Sequence, residues 1–355
     1  MRNKAALSVL CFCVALLLVT ERLTAQQFDA QVENRRIGTA AATELLIPVG
    51  ARDLAMGGAS LATSRGVDAL HWNPAGLGRI AGGAEGMIST MAYIADIRLN
   101  YGAVGINFGG FGVLGLSVRS LDFGDILLTS NDDPEGVGGR TYTPTFITVG
   151  LTYSRAFTDA ITAGASVKLI SEKMARANGS GVAFDFGVQY HQLAGIRGLH
   201  LGVAMKNLGP QMSFAGEGLN VRAIAPSGDA PEQFYRVRGA QYELPTSVEL
   251  GLTFERSLTE NVTWSVNGAF ANNNLGLDGY RVGGEAMFKS GPVNFFGRGG
   301  IETSPTKADD ENIFGPTAGF GIFYKTESLD ITLDYAFRSV DFFDSNQMFT
   351  LKFGF

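Results

Sequence analysis

The last eight residues of the chain alternate between apolar and polar side chains and end on an aromatic residue. In an extended strand, this alternation places Phe349, Leu351, Phe353 and Phe355 on one face, and Thr350, Lys352 and Gly354 on the other. A period of two is the mark of a strand. One apolar and one polar face is typical of a strand in a transmembrane β-barrel, which closes on itself and leaves no sheet edge in lipid.

The same alternation recurs in segments from residue 85 onward, and the links between these segments differ in length. Links 124–144, 209–242 and 304–313 are long and polar, whereas the intervening links are short. A barrel has this asymmetry between its two ends, whereas the alternative, a soluble β-sandwich, does not require it. We therefore predict an all-β, transmembrane antiparallel β-barrel of about 14 strands over residues 83–355. The predicted strands are 85–95, 97–108, 111–123, 145–157, 160–173, 181–191, 198–208, 243–256, 262–273, 279–289, 292–303, 314–325, 328–340 and 346–355.

The N-terminus has the pattern of a secretory signal peptide. Arg2 and Lys4 precede an apolar run over residues 5–19, and Ala25 supplies the small residue expected at a cleavage site. A membrane anchor is the alternative, but the run is shorter than the ~20 residues that a spanning helix needs. Residues 1–25 are thus predicted to be removed on export, together with both cysteines. With the barrel pattern, this predicts a location in a bacterial outer membrane.

Composition and motifs argue against several classes of function. The net charge of −6 gives no basic footprint for nucleic acid. The three histidines, at positions 71, 191 and 200, share no metal-ligand spacing, and no nucleophile motif is present. Residues 110–115 match G-x-G-x-x-G, but alternation follows the motif, so it is interpreted as a turn before a strand and not as a dinucleotide site. No catalytic residue, cofactor or metal is predicted.

Between Thr39 and Ile80 the chain lacks alternation and is interrupted by glycines and prolines. A 14-stranded barrel lies between eight strands, which side chains can fill, and the sixteen to eighteen of open channels. Residues 26–82 are therefore predicted to form an N-terminal arm and a hatch that plugs the lumen. A periplasmic arm is the alternative, and it suits residues 26–36 better than the apolar remainder.

Three short motifs in this segment resemble a known family: Gly50-Ala51-Arg52, Met56-Gly57-Gly58-Ala59 and Trp72-Asn73-Pro74-Ala75-Gly76-Leu77. They are similar to the N-terminal signature of the PorV/PorQ family, a branch of the FadL-like outer-membrane barrels. The resemblance implies a fourteen-stranded barrel with a hatch. It also implies a part in type IX secretion, in which the barrel receives secreted client proteins by their C-terminal domains and passes them from the translocon to the surface attachment machinery. The FadL branch instead carries hydrophobic small molecules. The implied hatch motif is Gly57, Gly58, Trp72, Asn73, Pro74, Ala75 and Gly76.

The link 209–242 is the longest, and it contains residue types that dominate protein-binding surfaces. The candidate client-binding residues are Phe214, Arg222, Phe234, Tyr235, Arg236 and Arg238. The same apolar residues could instead form a groove for fatty acids. The expected partners are outer-membrane lipid, secreted client proteins and components of the translocon or attachment machinery. Three functions remain open: protein secretion, transport of hydrophobic compounds, and catalysis by an outer-membrane enzyme. No catalytic motif supports the third.

Overall fold

Fourteen long strands dominate the part of the chain that the structure describes. The computed structural model describes residues 38–129, 132–224, 233–237, 239–275, 278–304 and 313–355. The strands are β1 (Ala84–Ala92), β2 (Arg98–Asn107), β3 (Val113–Asp122), β4 (Thr145–Ala156), β5 (Ile161–Met174), β6 (Ala177–His191), β7 (Leu199–Leu208), β8 (Ser247–Ser257), β9 (Val262–Asn273), β10 (Gly279–Ser290), β11 (Val293–Thr303), β12 (Phe314–Lys325), β13 (Asp330–Val340) and β14 (Asn346–Gly354).

The strands pair with their neighbours in chain order, all antiparallel, and the sheet closes. Closure comes from β1 and β14, which pair from Glu85 opposite Gly354 to Ala92 opposite Gln347. The predicted antiparallel barrel of 14 strands is therefore confirmed. Strand ends differ by a few residues from the predicted ones. The strand predicted to reach residue 95 ends at Ala92 and turns through Ala95 and Asp96, both with positive φ.

Side chains alternate between the two faces of the wall as the sequence predicts. Leu252, in the middle of β8, is 50% exposed on the outer face, whereas its neighbour Thr253 is 1% exposed and points inward. Leu333 and Asp334 on β13 show the same contrast, at 48% and 0%. The closed sheet pairs the backbone groups of the wall between neighbouring strands, and its apolar outer face suits the barrel to a bilayer.

The two ends of the barrel differ. At one end, here called the short-turn end, strands are joined by residues 108–112, 157–160, 192–198, 258–261, 291–292 and 326–329. The long-loop end carries 93–97, 123–144, 175–176, 209–246, 274–278, 304–313 and 341–345. The Gly-rich motif at 110–115 lies at the short-turn end, where a turn at Gly109–Phe111 leads into β3. It is a hairpin, as predicted, because the chain continues as a strand and not as a helix.

The longest connection, residues 209–246, contains short strands of its own. Met212–Ala215 pairs with both β6 and Gln241–Tyr242, so the base of this loop extends the barrel wall. Farther along, Asn220–Ala223 pairs with Gln233–Arg236 as a separate hairpin. Within the part of the chain that the structure describes, no helix is long and apolar enough to cross a membrane.

Candidate functional site

The lumen segment, residues 40–82, runs through the interior of the barrel. Its short helical turns are Thr43–Leu46, Ala51–Ala55, Gly66–Asp68, Ala69–Trp72 and Pro74–Arg79. At the long-loop end the Ala41 amide donates to the Glu243 carbonyl (3.0 Å), and at the short-turn end the Gly83 amide donates to the Phe355 carbonyl (2.7 Å). The segment therefore crosses the lumen from one end to the other. Residues 26–37 of the predicted arm and the predicted signal peptide lie outside the described residues.

Gly57 and Gly58 form a tight turn pressed against the wall. Both have positive φ, +63° and +72°, a conformation that glycine adopts without strain. The turn fits because the facing wall positions, Gly283 on β10 and Gly300 on β11, are also glycines. A Cβ on either would overlap the backbone of Met56. The Gly-Gly motif thus places backbone directly against backbone.

The Trp72–Gly76 motif anchors the other half of the segment. The Trp72 indole Nε1 donates to the Val49 carbonyl (2.9 Å), which ties two parts of the segment together. Pro74 begins the turn Pro74–Arg79, and the Asn73 side chain caps it by accepting from the Ala75 amide (3.2 Å). Gly76 has no room for a side chain, because a Cβ would overlap the Ser64 carbonyl.

Asn73 also joins the segment to the wall. Its Nδ2 donates to the carbonyls of Leu61 (3.2 Å), Val188 (3.3 Å) and Val203 (3.4 Å), the last two on neighbouring strands β6 and β7. Asn73 is fully buried, and Gly187 on β6 leaves the space that its side chain occupies. The residue therefore acts as both helix cap and wall anchor.

A chain of ion pairs links the segment to the opposite side of the wall. Lys352 on β14 pairs with Asp68 of the segment (2.6 Å) and with Asp334 on β13 (3.5 Å). Asp334 in turn pairs with Arg298 on β11 (2.6 Å). All four side chains are buried. Buried charges require such partners, since an unpaired charge in this position would be costly.

The chain of charges continues back into the segment. Arg298 pairs with Glu285 on β10 (2.6 Å), and Glu285 pairs with Arg52 of the segment (3.3 Å). Arg52 also pairs with its neighbour Asp53 (2.9 Å). Asp53 accepts two further hydrogen bonds, from the hydroxyls of Ser60 and Ser64. The arginine of the Gly50-Ala51-Arg52 motif is thus an electrostatic contact between segment and wall.

Elsewhere the contact between segment and wall is apolar. Leu54, Val67, Leu70, Leu77 and Ile80 of the segment belong to one core cluster with wall residues that include Met87, Met91, Leu99, Val113 and Met348. Gly115 of the Gly-rich motif lies beneath Leu70 and Leu77, where a Cβ would displace both side chains. The segment is therefore packed against the wall by apolar, polar and backbone contacts.

Glu44 lies near the long-loop end in an unusual setting. Both of its buried carboxylate oxygens lack a hydrogen-bond donor, and burial, together with the charge of Glu172 on β5, raises the pKa of Glu44 to about 7. The Arg119 guanidinium on β3 donates to the Glu44 carbonyl (2.6 Å) and to Nδ1 of His71 (2.7 Å). Burial and the nearby Arg119 lower the pKa of His71 well below its usual value.

A cavity of about 500 Å³ lies between the lumen segment and the long-loop end. Its apolar lining comes from Leu46, Ile47 and Leu54 of the segment and from Phe123, Phe146 and Phe314 of the wall. On its polar side, Lys206 and Arg281 both pair with Glu249, at 2.8 and 3.1 Å. A mostly apolar cavity of this size with a few fixed polar groups has the features of a small-molecule site.

The residues predicted to bind a client are divided between two places. Phe214 packs against Tyr242 in the base of the long loop, with ring centroids 5.7 Å apart, and is partly buried. Arg222 stacks over Phe234 (5.0 Å) in the outer hairpin, where Phe234 is 68% exposed. Tyr235 and Arg236 are exposed on the same hairpin, and Arg238 lies outside the described residues.

Sequence reasoning missed the wall residues that receive the segment. Inward glycines of the wall accommodate its backbone or side chains, among them Gly164, Gly187, Gly202, Gly251, Gly283 and Gly300. The inward charges Glu285, Arg298 and Lys352 were also not recognised as contacts. The available signal was glycine or charge at positions that the alternation assigns to the lumen. In the described residues, no group of three or more His, Cys, Asp or Glu side chains is arranged to hold a metal.

Comparison with known proteins relates this barrel to solved transporter structures. No family model and no curated protein matches the chain. Its fold is similar to that of the Pseudomonas putida toluene transporter TodX, with 15% identity, a TM-score of 0.51, and coverage of 86% of this chain and 96% of that one. The Ralstonia pickettii toluene transporter TbuX gives 13% identity, a TM-score of 0.52, and coverage of 86% and 98%.

The chain shares their fold. The closed sheet, its apolar outer face and this likeness make the protein an outer-membrane β-barrel. At identities this low the similarity concerns architecture and not substrate. The barrel fold that the resemblance implies is confirmed, whereas a relation to FadL-like proteins, or to PorV or PorQ within them, remains a prediction.

Proposed function

We propose that this barrel carries small hydrophobic molecules across the outer membrane through the cavity at its long-loop end, with the lumen segment as the hatch below it. The observation that carries the proposal is the cavity itself. It is apolar on the side formed by Leu46, Ile47 and Leu54, which belong to the lumen segment. The shared fold with TodX and TbuX, both described as toluene transporters, supports transport over the secretion role predicted first.

In this proposal the long-loop end faces outward and the short-turn end faces the periplasm, as in outer-membrane barrels generally. A hydrophobic molecule would leave water for the cavity, where the apolar lining favours it by roughly 25 cal/mol per Å² of buried surface. Passage then requires the lumen segment to shift, because side chains and backbone fill the space between it and the wall. Asn73, Arg52 and Asp68 hold it in the closed position.

Uptake of a hydrocarbon into proteoliposomes that contain the purified barrel tests this proposal. Leu46 is 40% exposed and lines the cavity, so Leu46→Trp should fill part of it and reduce uptake of labelled toluene severalfold. Leu127 is similarly exposed, at 45%, but lies in a loop hairpin, where Ile126–Leu127 pairs with Thr141–Tyr142, and it does not line the cavity, so Leu127→Trp is the matched control. Equal uptake by all three proteins would show that the cavity is not a transport site.

Secretion of proteins is the second candidate function. It is favoured by the PorV/PorQ-like motifs and by the outer hairpin, whose Phe234, Tyr235 and Arg222 are exposed together. Aromatic and arginine side chains in such a position are typical of binding hot spots. In this role the barrel would receive client proteins by their C-terminal domains and would contact components of the translocon or attachment machinery.

Replacing residues 217–237 with a short Gly-Ser linker separates the two candidates. The replacement removes the outer hairpin but leaves Met212–Ala215 and Gln241–Tyr242, which extend the wall, so assembly should be intact. Accumulation of secreted proteins in the periplasm with normal hydrocarbon uptake would favour secretion. Normal secretion in this variant, together with loss of uptake by Leu46→Trp, would favour transport.

A further inference from the structure

The base of the long loop contacts the outer end of the lumen segment through its backbone. The Ala41 amide donates to the Glu243 carbonyl (3.0 Å), and Ala40 and Glu243 form a parallel β-bridge. Glu243 directly follows the short strand Gln241–Tyr242, which pairs with Met212–Ala215. The first residues of the segment thus continue a small sheet that belongs to the loop.

Apolar side chains reinforce this contact. Ala41, Ala42 and Leu45 of the segment form a buried cluster with Met212 and Leu244 of the loop, which are 1% and 2% exposed, and with Ile170 and Ala183 of the wall. This cluster is distinct from the large one that surrounds the deeper part of the segment. The outer end of the segment is therefore held by its own set of contacts.

The wall also contributes polar contacts at this level. It supplies the Glu172 carboxylate, which accepts from the Ala42 amide (2.7 Å), and the Arg119 guanidinium, which donates to the Glu44 carbonyl (2.6 Å). The ion pairs of Arg52 and Asp68 and the anchor at Asn73 lie farther along the segment. Strands of a closed barrel cannot move aside without breaking their ladders. A loop at the end of the barrel can move at lower cost.

We propose that the loop base, residues 212–215 and 241–244, is a latch for the lumen segment. While the latch is closed, Thr43–Leu46 stays against the wall and lines the cavity. Displacing it breaks the β-bridge and opens the apolar cluster, which frees the outer end of the segment first. The outer hairpin extends from this base, so a contact at the hairpin can displace the base. The latch adds a mechanism to the proposed transport function, and the uptake experiment below rests on that function.

Thiol labelling tests the latch without reference to transport. Both native cysteines, Cys11 and Cys13, lie in the predicted signal peptide, so Ala51→Cys, fully buried at the start of a helix, provides a single reporter. In purified protein, adding Met212→Ala should speed maleimide labelling at least about tenfold, because truncating a buried methionine weakens the contact. Phe234→Ala, in the same loop but 68% exposed, should leave the rate unchanged. Leu244→Ala repeats the test if Met212→Ala does not fold. Unchanged labelling in the folded latch variant would overturn the proposal.

A reversible cross-link provides the second measurement. Bridged residues on paired strands lie within the range of Cα separation that a disulfide spans, so Ala40→Cys with Glu243→Cys should form one on oxidation. Oxidation should reduce hydrocarbon uptake in proteoliposomes severalfold, and reduction should restore it. If labelling responds to Met212→Ala but the cross-link does not alter uptake, the latch stands and the transport proposal fails. If neither responds, the latch is refuted.

Discussion

Asn73→Asp is the most direct test of how the lumen segment is held. The substitution keeps the size and shape of the side chain, so the space beside Gly187 remains filled. It replaces an amide that donates toward three carbonyls, at 3.2 to 3.4 Å, with a group that cannot donate when ionised. The helix-capping acceptor for the Ala75 amide is retained.

The magnitude follows from these contacts. Each hydrogen bond contributes about 0.5–1.5 kcal/mol, and long ones fall at the low end, so the three together give about 2 kcal/mol. An ionised carboxylate buried among carbonyls adds a further penalty of at least about 1 kcal/mol. A total near 3 kcal/mol corresponds to roughly a hundredfold larger population of the released Pro74–Arg79 turn.

Hydrogen–deuterium exchange of peptides covering residues 74–79 measures that population in the purified barrel. Exchange there should be about a hundredfold faster in Asn73→Asp than in the parent protein, while β6 and β7 stay protected. Asn261→Asp, at an exposed position in the turn between β8 and β9, makes the same chemical change and should alter nothing. Equal protection of residues 74–79 in the parent and in Asn73→Asp would refute the assigned role of the amide.

Three further predictions concern the wall, the cavity floor and the pore. Leu252→Arg, in the middle of the outer face, should destabilise folding into bilayers by about 2–4 kcal/mol, whereas Leu258→Arg in a short turn should cost at most about 1 kcal/mol in urea titrations. Since the raised pKa of Glu44 means that the folded state binds a proton that the unfolded state has lost, its contribution should lower stability as pH rises from about 4.5 through about 7, and Glu44→Gln should weaken this dependence in melting experiments. Deleting residues 43–78 should convert a closed barrel to a conducting one in planar bilayers; the same small conductance in both proteins would contradict a plugging role.

Much of the architecture could be predicted from the sequence because each strand carries its own signal. In a barrel wall, one face meets lipid and the other meets the lumen, so hydrophobicity must alternate with period two wherever the wall exists. Within a single strand, the order of apolar and polar residues shows which side chain faces lipid, as at Leu252 and Thr253 or at Leu333 and Asp334. No partner strand has to be known. The number of strands and the contrast between short turns and long loops follow from counting these segments.

The motifs of the lumen segment could be found but not explained from sequence. Asn73 and Pro74 indicate a cap and a turn, whereas the hydrogen bonds to the Val188 and Val203 carbonyls depend on where two distant strands place their backbones. Nothing local links Gly300 to Gly57, or Lys352 to Asp68, because each pair meets only when the barrel closes around the segment.

The tertiary structure also decided the character of the long loop. The length and composition of the loop predicted one exposed surface, with Phe214 and Phe234 both exposed on it. The fold buries part of Phe214 in a base that extends β6, and leaves Phe234 on the outer hairpin. Period-two patterning fixes which face of a strand meets lipid because the bilayer acts on every strand separately. Contacts between inward groups join residues that are far apart in the chain, and they form only when the whole sheet closes. Only the folded barrel therefore reveals them.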